Sequence, residues 1–298
     1  MDVVFGGEPV KKHFVVITAM AMIASCVETG QQQVEFPLFV AGSTVAEPII
    51  AVGDVPIVLD RADLAFGPLY LCAGASAGEL CDTARAEWLG SVVVDTLDPS
   101  PVQAGQMSGV SGTVRSWMYD LGISSQLTRD DPYVLEAVRQ LDGFSLILEG
   151  KATVDQVELP FRAELAIQQN SETELGVPVI RKSASENFFH DITGDEEGLT
   201  VRFDPVPWVS NVDFRYLLSS GTCAEQSAGF VCDGLLEKRC DEDGVAETRD
   251  CSDSGQVCGT QSGCTDSLEI QTETEAYRMI RSRLTSGARP VFVWQNAP

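Results

Sequence analysis

Residues 144–168 read "FSLILEGKATVDQVELPFRAELAIQ", and this stretch decides the fold class. In its second half, apolar residues occupy every second position: Leu159, Phe161, Ala163, Leu165 and Ile167. A period of two is typical of a strand with one buried face. A second strand-like run precedes it, and a polar turn near Asp155-Gln156 separates the two runs. The stretch therefore predicts an antiparallel pair of strands.

Other parts of the chain repeat this pattern between short clusters of Gly, Pro, Asp and Ser. The strand candidates are "VEFPLFVAG" (34–42), "VPIVLDRADLAFGPLYLC" (55–72), "GSVVVDTL" (90–97), "GTVRSWMYDLG" (112–122) and "GLTVRFDPVPW" (198–208). Many short strands with one solvated face favour a sandwich or an open barrel. We predict a mainly β chain whose body is an antiparallel β-sandwich-like domain.

One or two short helices are expected. "DDPYVLEAVRQLDG" (130–143) is the first candidate, with Pro132 at its start. "TETEAYRMIRSRLTSG" (272–287) is the better one. There Thr272 and Glu275 fit a capping box, and Gly287 can end the helix.

The N-terminal region contains a short apolar run. Phe14 to Ala24 is uncharged, follows the pair Lys11-Lys12, and ends at Ile23-Ala24-Ser25-Cys26. A membrane-spanning helix needs about 20 apolar residues, so this run has the length of a secretory leader. The alternatives are a buried core helix and a plain secretory leader without lipid attachment.

This end of the run resembles the lipobox of bacterial lipoproteins, which has an aliphatic residue, two small residues and then cysteine. The resemblance implies that residues 1–25 are a signal peptide, that Cys26 carries the lipid, and that residues 26–33 are a tether. Two acyl chains hold a protein stably on a membrane where one does not. We expect the cell envelope of a bacterium, with the outer membrane favoured.

The charge of the chain limits its partners. With 20 basic and 44 acidic residues, the formal net charge is −24. Such a charge argues against nucleic acid and against adsorption to anionic lipid headgroups. The expected partners are membrane lipid, through the acyl chains, and an envelope protein or glycan. No cofactor is expected.

The nine cysteines are an odd number, which is unusual for an exported protein. Lipidation of Cys26 removes one of them. The eight that remain are expected to form disulfides in an oxidising compartment: Cys72, Cys81, Cys223, Cys232, Cys240, Cys251, Cys258 and Cys264. The first two flank a loop of small residues and would close it.

Six of these cysteines lie in residues 223–264, which contain few large apolar residues. Three disulfides can stabilise such a segment where a core cannot, and six cysteines allow fifteen connectivities. A hairpin with its turn at Asp243-Gly244 is expected. Zinc is the alternative, although the segment lacks both histidine and paired C-x₂-C spacing. The segment resembles small cysteine-rich modules in extracellular proteins of predatory and social soil bacteria.

The C-terminal "ARPVFVWQ" (288–295) is too apolar to stand alone, and the cysteine-rich segment offers no large sheet. We therefore expect it to return to the sandwich and to bury Trp294 there. The predicted domains are 34–220 plus 267–298 for the sandwich and 221–266 for an inserted module. Two consecutive domains are the alternative.

Few residues are candidates for catalysis, metal binding or ligand binding. His190 is the one histidine after the leader, and packing or loop capping is a more common role for such a residue than catalysis. Asp191, Asp195 and Glu197 form a weak calcium candidate, with a solvated acidic turn as the alternative. Trp117 and Tyr119 share a strand face and are either a ligand platform or core residues.

These features favour a non-catalytic, membrane-anchored lipoprotein that acts as a binding or adhesion module. An envelope hydrolase acting on glycan is one alternative, since the 44 acidic residues do not nominate a catalytic pair. A structural lipoprotein without a small ligand is the other.

Overall fold

The computed structural model describes residues 31–74, 81, 83–124, 133–167, 180–184, 189–218, 221–223, 229–241 and 243–296. The apolar leader, Cys26 and the first part of the tether lie outside these residues. Lipid attachment at Cys26 therefore stays a prediction.

Most of the described chain is β-strand. In chain order the strands are β1 (Gln33–Ala41), β2 (Ile49–Ala51), β3 (Val55–Phe66), β4 (Leu69–Cys72), β5 (Ala84–Trp88), β6 (Val92–Asp95), β7 (Val102–Val110), β8 (Gly112–Val114), β9 (Ser116–Asp120), β10 (Ile123–Ser124), β11 (Tyr133–Val134), β12 (Leu146–Val154), β13 (Val157–Leu165), β14 (Ile180–Ala184), β15 (His190–Ile192), β16 (Glu196–Arg202), β17 (Gly229–Asp233), β18 (Leu236–Asp241), β19 (Gly244–Asp250), β20 (Val257–Gly259), β21 (Gly263–Thr265), β22 (Leu268–Glu269) and β23 (Val291–Asn296).

Helices are short. The α-helices of the described residues are α1 (Glu136–Gln140), α2 (Val206–Val209) and α3 (Glu275–Ser282). Single 3₁₀ turns lie at Arg215–Leu217 and Cys251–Ser254, and a π-helical turn at Arg283–Gly287 extends α3. Among these residues no helix has the length and apolarity that crossing a bilayer requires.

Two sheets form the body. The larger has eight strands in the order β14-β9-β4-β5-β7-β1-β16-β23, and the smaller has the order β2-β3-β12-β13-β22, with β6 also pairing with β3. Their inner faces share one buried cluster, which includes Phe36 and Leu38 of the larger sheet and Leu148 and Phe161 of the smaller. The predicted mainly β, sandwich-like fold is confirmed.

The hairpin predicted from residues 144–168 lies in the smaller sheet. β12 and β13 pair antiparallel along their whole length, up to Val154 opposite Val157. Asp155 and Gln156 both take positive φ, 48° and 69°, which suits a two-residue hairpin turn. The five alternating apolar residues of the second strand are all buried. Local periodicity and turn chemistry therefore agree with the tertiary packing.

The cysteine-rich segment folds as a compact unit. β17, β18 and β19 form a three-stranded sheet, and β20 and β21 form a hairpin beside it. Its disulfides join Cys223 to Cys240, Cys232 to Cys258 and Cys251 to Cys264, and Cys72 pairs with Cys81 in the body. The predicted bridges are confirmed, and the zinc alternative is wrong because each of these sulfurs is bonded to another. The predicted hairpin is also confirmed, since β18 and β19 pair antiparallel, but Gly244 lies opposite Asp241 as the first residue of β19 and not in the turn.

The chain after this segment rejoins both sheets. β22 pairs in parallel with β13, with Leu268 opposite Phe161. β23 pairs antiparallel with β16 at the end of the larger sheet. Trp294 is half-buried rather than fully buried, because β23 lies at the edge of its sheet. The exact domain boundaries remain a prediction.

Both predicted helices differ from expectation in detail. α3 begins two residues later than predicted, because Thr274 and not Thr272 is its N-cap. The Thr274 Oγ1 accepts a hydrogen bond from the Tyr277 N–H at 3.2 Å. α1 is a single short turn that follows Leu135, and Pro132 lies outside the described residues.

Candidate functional site

A groove of about 470 Å³ lies where the sandwich meets the cysteine-rich segment. One wall comes from the 3₁₀ turn after α2 and from the start of α3, and the other from the β20–β21 hairpin. The lining residues are Tyr216, Leu217, Cys258, Gly259, Thr260, Gln261, Ser262, Leu268, Glu269, Gln271 and Thr274. We call this the junction groove.

Tyr216 is presented by a well-anchored turn. Its neighbour Leu217 is only 7% exposed and Phe214 is fully buried, so both fix the turn to the core. Asp213 accepts hydrogen bonds from the backbone N–H of Arg215 and from its guanidinium Nε, at 3.0 and 2.8 Å. Between these anchors Tyr216 remains 42% exposed, which makes it an aromatic surface at the groove.

The opposite wall is held by a disulfide. Cys258 on β20 is bonded to Cys232 on β17, so the hairpin is covalently tied to the three-stranded sheet. The hairpin tip then carries Thr260, Gln261 and Ser262 into the groove. A rigid frame with polar side chains at its tip suits a preformed binding site.

The groove contains two groups with perturbed pKa values. Burial raises the pKa of the Tyr216 phenol to about 12, although a hydrogen bond with Thr274 opposes the rise. The phenol is therefore neutral and able to donate a hydrogen bond. Glu269 is exposed at the groove, but partial desolvation raises its pKa, the charge of Glu164 raises the pKa further, and Arg162 lowers it.

The chemical groups of the groove are mainly uncharged donors and acceptors. Hydroxyl groups come from Tyr216, Thr260, Ser262 and Thr274, and amide groups from two glutamines. Glu269 is the single ionisable carboxylate among the lining residues. Such a surface can hydrogen-bond a polar ligand while the tyrosine ring packs on an apolar face of it.

His190 lies elsewhere, in a packed cluster. Its ring stacks on Trp294 with centroids 3.8 Å apart, and its Nε2 lies 3.3 Å from Glu196 Oε1. Glu196 also accepts hydrogen bonds from the backbone N–H groups of Thr193 and Gly194, both at 2.9 Å. Burial alone would raise the pKa of Glu196, but these hydrogen bonds outweigh it and lower the pKa.

The two aromatic residues proposed as a ligand platform are core residues. Trp117 and Tyr119 are 3% and 2% exposed and stack on each other with centroids 5.4 Å apart. They share a face of β9 as predicted, but other rings cover that face: Trp117 packs on Phe292 of β23 and Tyr119 on Phe66 of β3. The platform interpretation is therefore wrong for these residues.

The calcium candidates are also not brought together. Asp191, Asp195 and Glu197 are all exposed, and Asp191 accepts a hydrogen bond from Thr113. Among the described residues, the acidic group that turns inward here is Glu196, and its oxygens are occupied by hydrogen bonds. The structure supports the solvated-turn alternative for these three residues.

Two features had no clear signal in the sequence. The junction groove joins Tyr216 to residues 258–274, and only the fold brings these segments together. Asp120 ends an apolar strand, is 2% exposed, and has an Oδ1 without a hydrogen-bond partner, so burial raises its pKa to about 8. Burial of Asp120 was not expected, because an acidic residue at the end of a strand is usually exposed.

Comparisons with known proteins do not assign this chain to a family. No family model matches it, and no curated protein matches it. A solved structure that matches is MbnP from Methylosinus trichosporium, with a TM-score of 0.34 and 10% sequence identity over 63% of this chain and 80% of that one. A similarity at this level carries no argument about fold details or function.

Proposed function

We propose that this chain is a lipid-anchored envelope protein that binds a glycan in the junction groove. The observation that carries the binding role is the groove itself, with an exposed tyrosine ring between hydroxyl and amide groups. Sugar hydroxyls both donate and accept hydrogen bonds, as these groups do. The C–H face of a sugar ring can pack on Tyr216.

The anchoring part of the proposal rests on the N-terminal sequence. Lys11-Lys12, the apolar run and Ile23-Ala24-Ser25-Cys26 occur in the order that a lipoprotein leader needs. The eight residues of the predicted tether, 26–33, would span at most about 29 Å when extended, so the sandwich would lie close to the membrane surface.

Replacing Cys26 with Ser should release the protein from membranes into the soluble fraction, because serine offers no thiol for the lipid. The measurement is fractionation of cells followed by detection of the protein in membrane and soluble fractions. Ser25→Ala is the matched control, since it keeps a small residue before the cysteine and should leave the protein on membranes. A Cys26→Ser variant that stays on membranes after its leader is cut elsewhere would contradict the anchoring proposal.

Replacing Tyr216 with Ala should weaken glycan binding at least tenfold, which corresponds to about 1.4 kcal/mol. Exposed aromatic residues in a rigid site often carry this much binding energy. The measurement is retardation in native gels that contain a neutral β-glucan or polygalacturonate, together with a pull-down on peptidoglycan sacculi. Phe189→Ala is the control, because Phe189 is 52% exposed and does not line the groove.

Two outcomes decide against glycan binding in the groove. One is a wild-type protein that none of these glycans retains, which would favour the structural lipoprotein. The other is a Tyr216→Ala variant that binds as tightly as wild type.

A glycan hydrolase is a second candidate because of one residue. Glu269 lines the groove with a raised pKa, and a general acid needs that property. Release of reducing ends from a retained polysaccharide, abolished in Glu269→Gln while binding persists, would favour the enzyme. Retention without release favours the binding module.

A further inference from the structure

A second cavity of about 470 Å³ lies on the cysteine-rich segment and shares Ser262 with the junction groove. The residues that give it its character are Phe230, Glu237, Arg239, Arg249 and Gly263. Because one residue lines both cavities, a ligand longer than one sugar could reach from the first into the second.

Strand register brings the two arginines to one face. Arg239 on β18 lies opposite Glu247 on β19, and Arg249 lies opposite Glu237 two positions away. Since side chains two apart in a strand share a face, both guanidinium groups are on the same side of the three-stranded sheet. Phe230 on β17, opposite Arg239, completes this face.

The carboxylates nearby leave these guanidinium groups available. Glu237 is tied to the backbone, since its Oε2 accepts the Cys264 N–H at 3.0 Å. Arg239 lies 3.6 Å from Glu237 and 3.7 Å from Glu247, whereas charge-assisted hydrogen bonds are about 2.7–2.9 Å long. Arg249 is exposed and makes no ion pair with any other described residue.

Gly263 makes the close packing beneath this face possible. Its φ is +69°, and a Cβ there would lie 2.5 Å from Glu237 Oε2. The glycine therefore lets β21 approach Glu237, whose side chain is only 9% exposed.

Several other arginines of the described residues have closer carboxylate partners. Arg61 and Arg162 both contact Glu149 on the outer face of the smaller sheet, and Arg215 pairs with Asp213. Arg239 and Arg249 are both exposed beside a groove, and the contacts of Arg239 with Glu237 and Glu247 are long, at 3.6 and 3.7 Å. Guanidinium groups bind carboxylates through paired hydrogen bonds.

We propose that Arg239 and Arg249 form a subsite for a carboxylate of an acidic glycan whose neighbouring part occupies the junction groove. This inference rests on the proposed glycan-binding function and adds the class of ligand. The net charge of −24 disfavours such a ligand on the chain as a whole, so the subsite would also set the orientation of the bound glycan.

The test compares oligogalacturonate with its methyl ester, which has the same sugar backbone but an uncharged methyl ester in place of each carboxylate. We expect wild-type protein to bind the acid at least tenfold more tightly than the ester at low ionic strength, with the difference shrinking as salt is added. A protein without the subsite would show the opposite preference, because its negative charge repels the acid. Calorimetric titration measures both affinities.

Single substitutions test whether the preference for the acid depends on the two arginines. Arg249→Gln and Arg239→Gln should each remove most of the preference for the acid and leave ester binding unchanged. Arg278→Gln, at an exposed position of α3, makes the same change in net charge and should keep the preference. Tyr216→Ala should weaken both ligands, which separates failure of the groove from failure of the subsite.

A measurement that does not need the groove is titration of the arginine Nε–H NMR signals with monomeric galacturonate and, separately, with inorganic phosphate. Shifts at Arg239 and Arg249 with galacturonate support the inference. Shifts with phosphate alone, no shift at either arginine, or tighter binding of the ester by wild-type protein would overturn it. If the ester binds and the acid binds no more tightly, the proposal of glycan binding in the junction groove is retained and the proposal of an arginine subsite is rejected.

Discussion

A fragment of residues 34–220 is expected to aggregate or to be largely unfolded, whereas a chain in which a short flexible loop replaces residues 223–264 should keep a folded sandwich. The fragment loses β22, α3 and β23. These elements and the segments between them bury Ile270, Tyr277, Ile280 and Leu284 in the core that the two sheets share. Burial of each large apolar side chain stabilises by about 1.5–3 kcal/mol, so their loss together is comparable to the whole stability of a typical domain.

The loop-replaced chain keeps all of those contacts. Its main losses are the packing of Val257, which is buried in the same core, and of Leu235, which is half-buried against it. Loop closure entropy changes slowly with loop length, so replacing the segment itself has a small effect. Thermal unfolding followed by near-ultraviolet circular dichroism would compare the two proteins. Equal stability would falsify the insertion topology in favour of two consecutive domains.

Replacing Gly109 with Ala should destabilise the sandwich by about 3 kcal/mol or more, at the upper end of the usual range for overpacking. Gly109 lies on β7 opposite Ala86 of β5. A Cβ at this position would be 1.9 Å from the carbonyl oxygen of Arg85 and 2.5 Å from the Cα of Ala86. Both are backbone atoms in the middle of the larger sheet, so no rotamer change can relieve the contact.

Gly74→Ala is the matched control for this substitution. A Cβ at Gly74 would meet no atom within 4 Å, so we expect a change within about 0.5 kcal/mol. Urea unfolding of both variants measures the free energy directly. A Gly109→Ala protein as stable as the Gly74→Ala protein would show that β5 and β7 are not packed as described.

The sequence alone predicted the elements that rest on local signals. The β12–β13 hairpin follows from period-two apolar residues on both sides of a turn whose two residues can take positive φ. The pairing of eight cysteines follows from their number and from the scarcity of apolar residues around six of them. These predictions depend on residues that are close together in the sequence, and the spacing of such residues does not depend on the fold.

The tertiary structure was needed to decide what covers a strand face, where a helix begins and which cysteines pair. Trp117 and Tyr119 alternate as a strand face should, but alternation does not say whether another sheet or solvent covers that face. Threonine at either 272 or 274 suits a helix start, and in the structure it is Thr274 that accepts the hydrogen bond from the Tyr277 N–H. Spacing cannot choose among the fifteen pairings of six cysteines, because loop closure differs little in free energy between them.

The junction groove and the arginine pair show this limit most clearly. Tyr216 and Gln261 are distant in the chain, and neither has a local pattern that marks it for binding. Arg239 and Arg249 become neighbours only through the register of β18 and β19. The sequence by itself therefore determined the strand content and the disulfide chemistry, and it predicts a lipoprotein-like leader. The tertiary structure decided which side chains converge on a cavity, because convergence depends on how sheets pack and on which residues pair across strands.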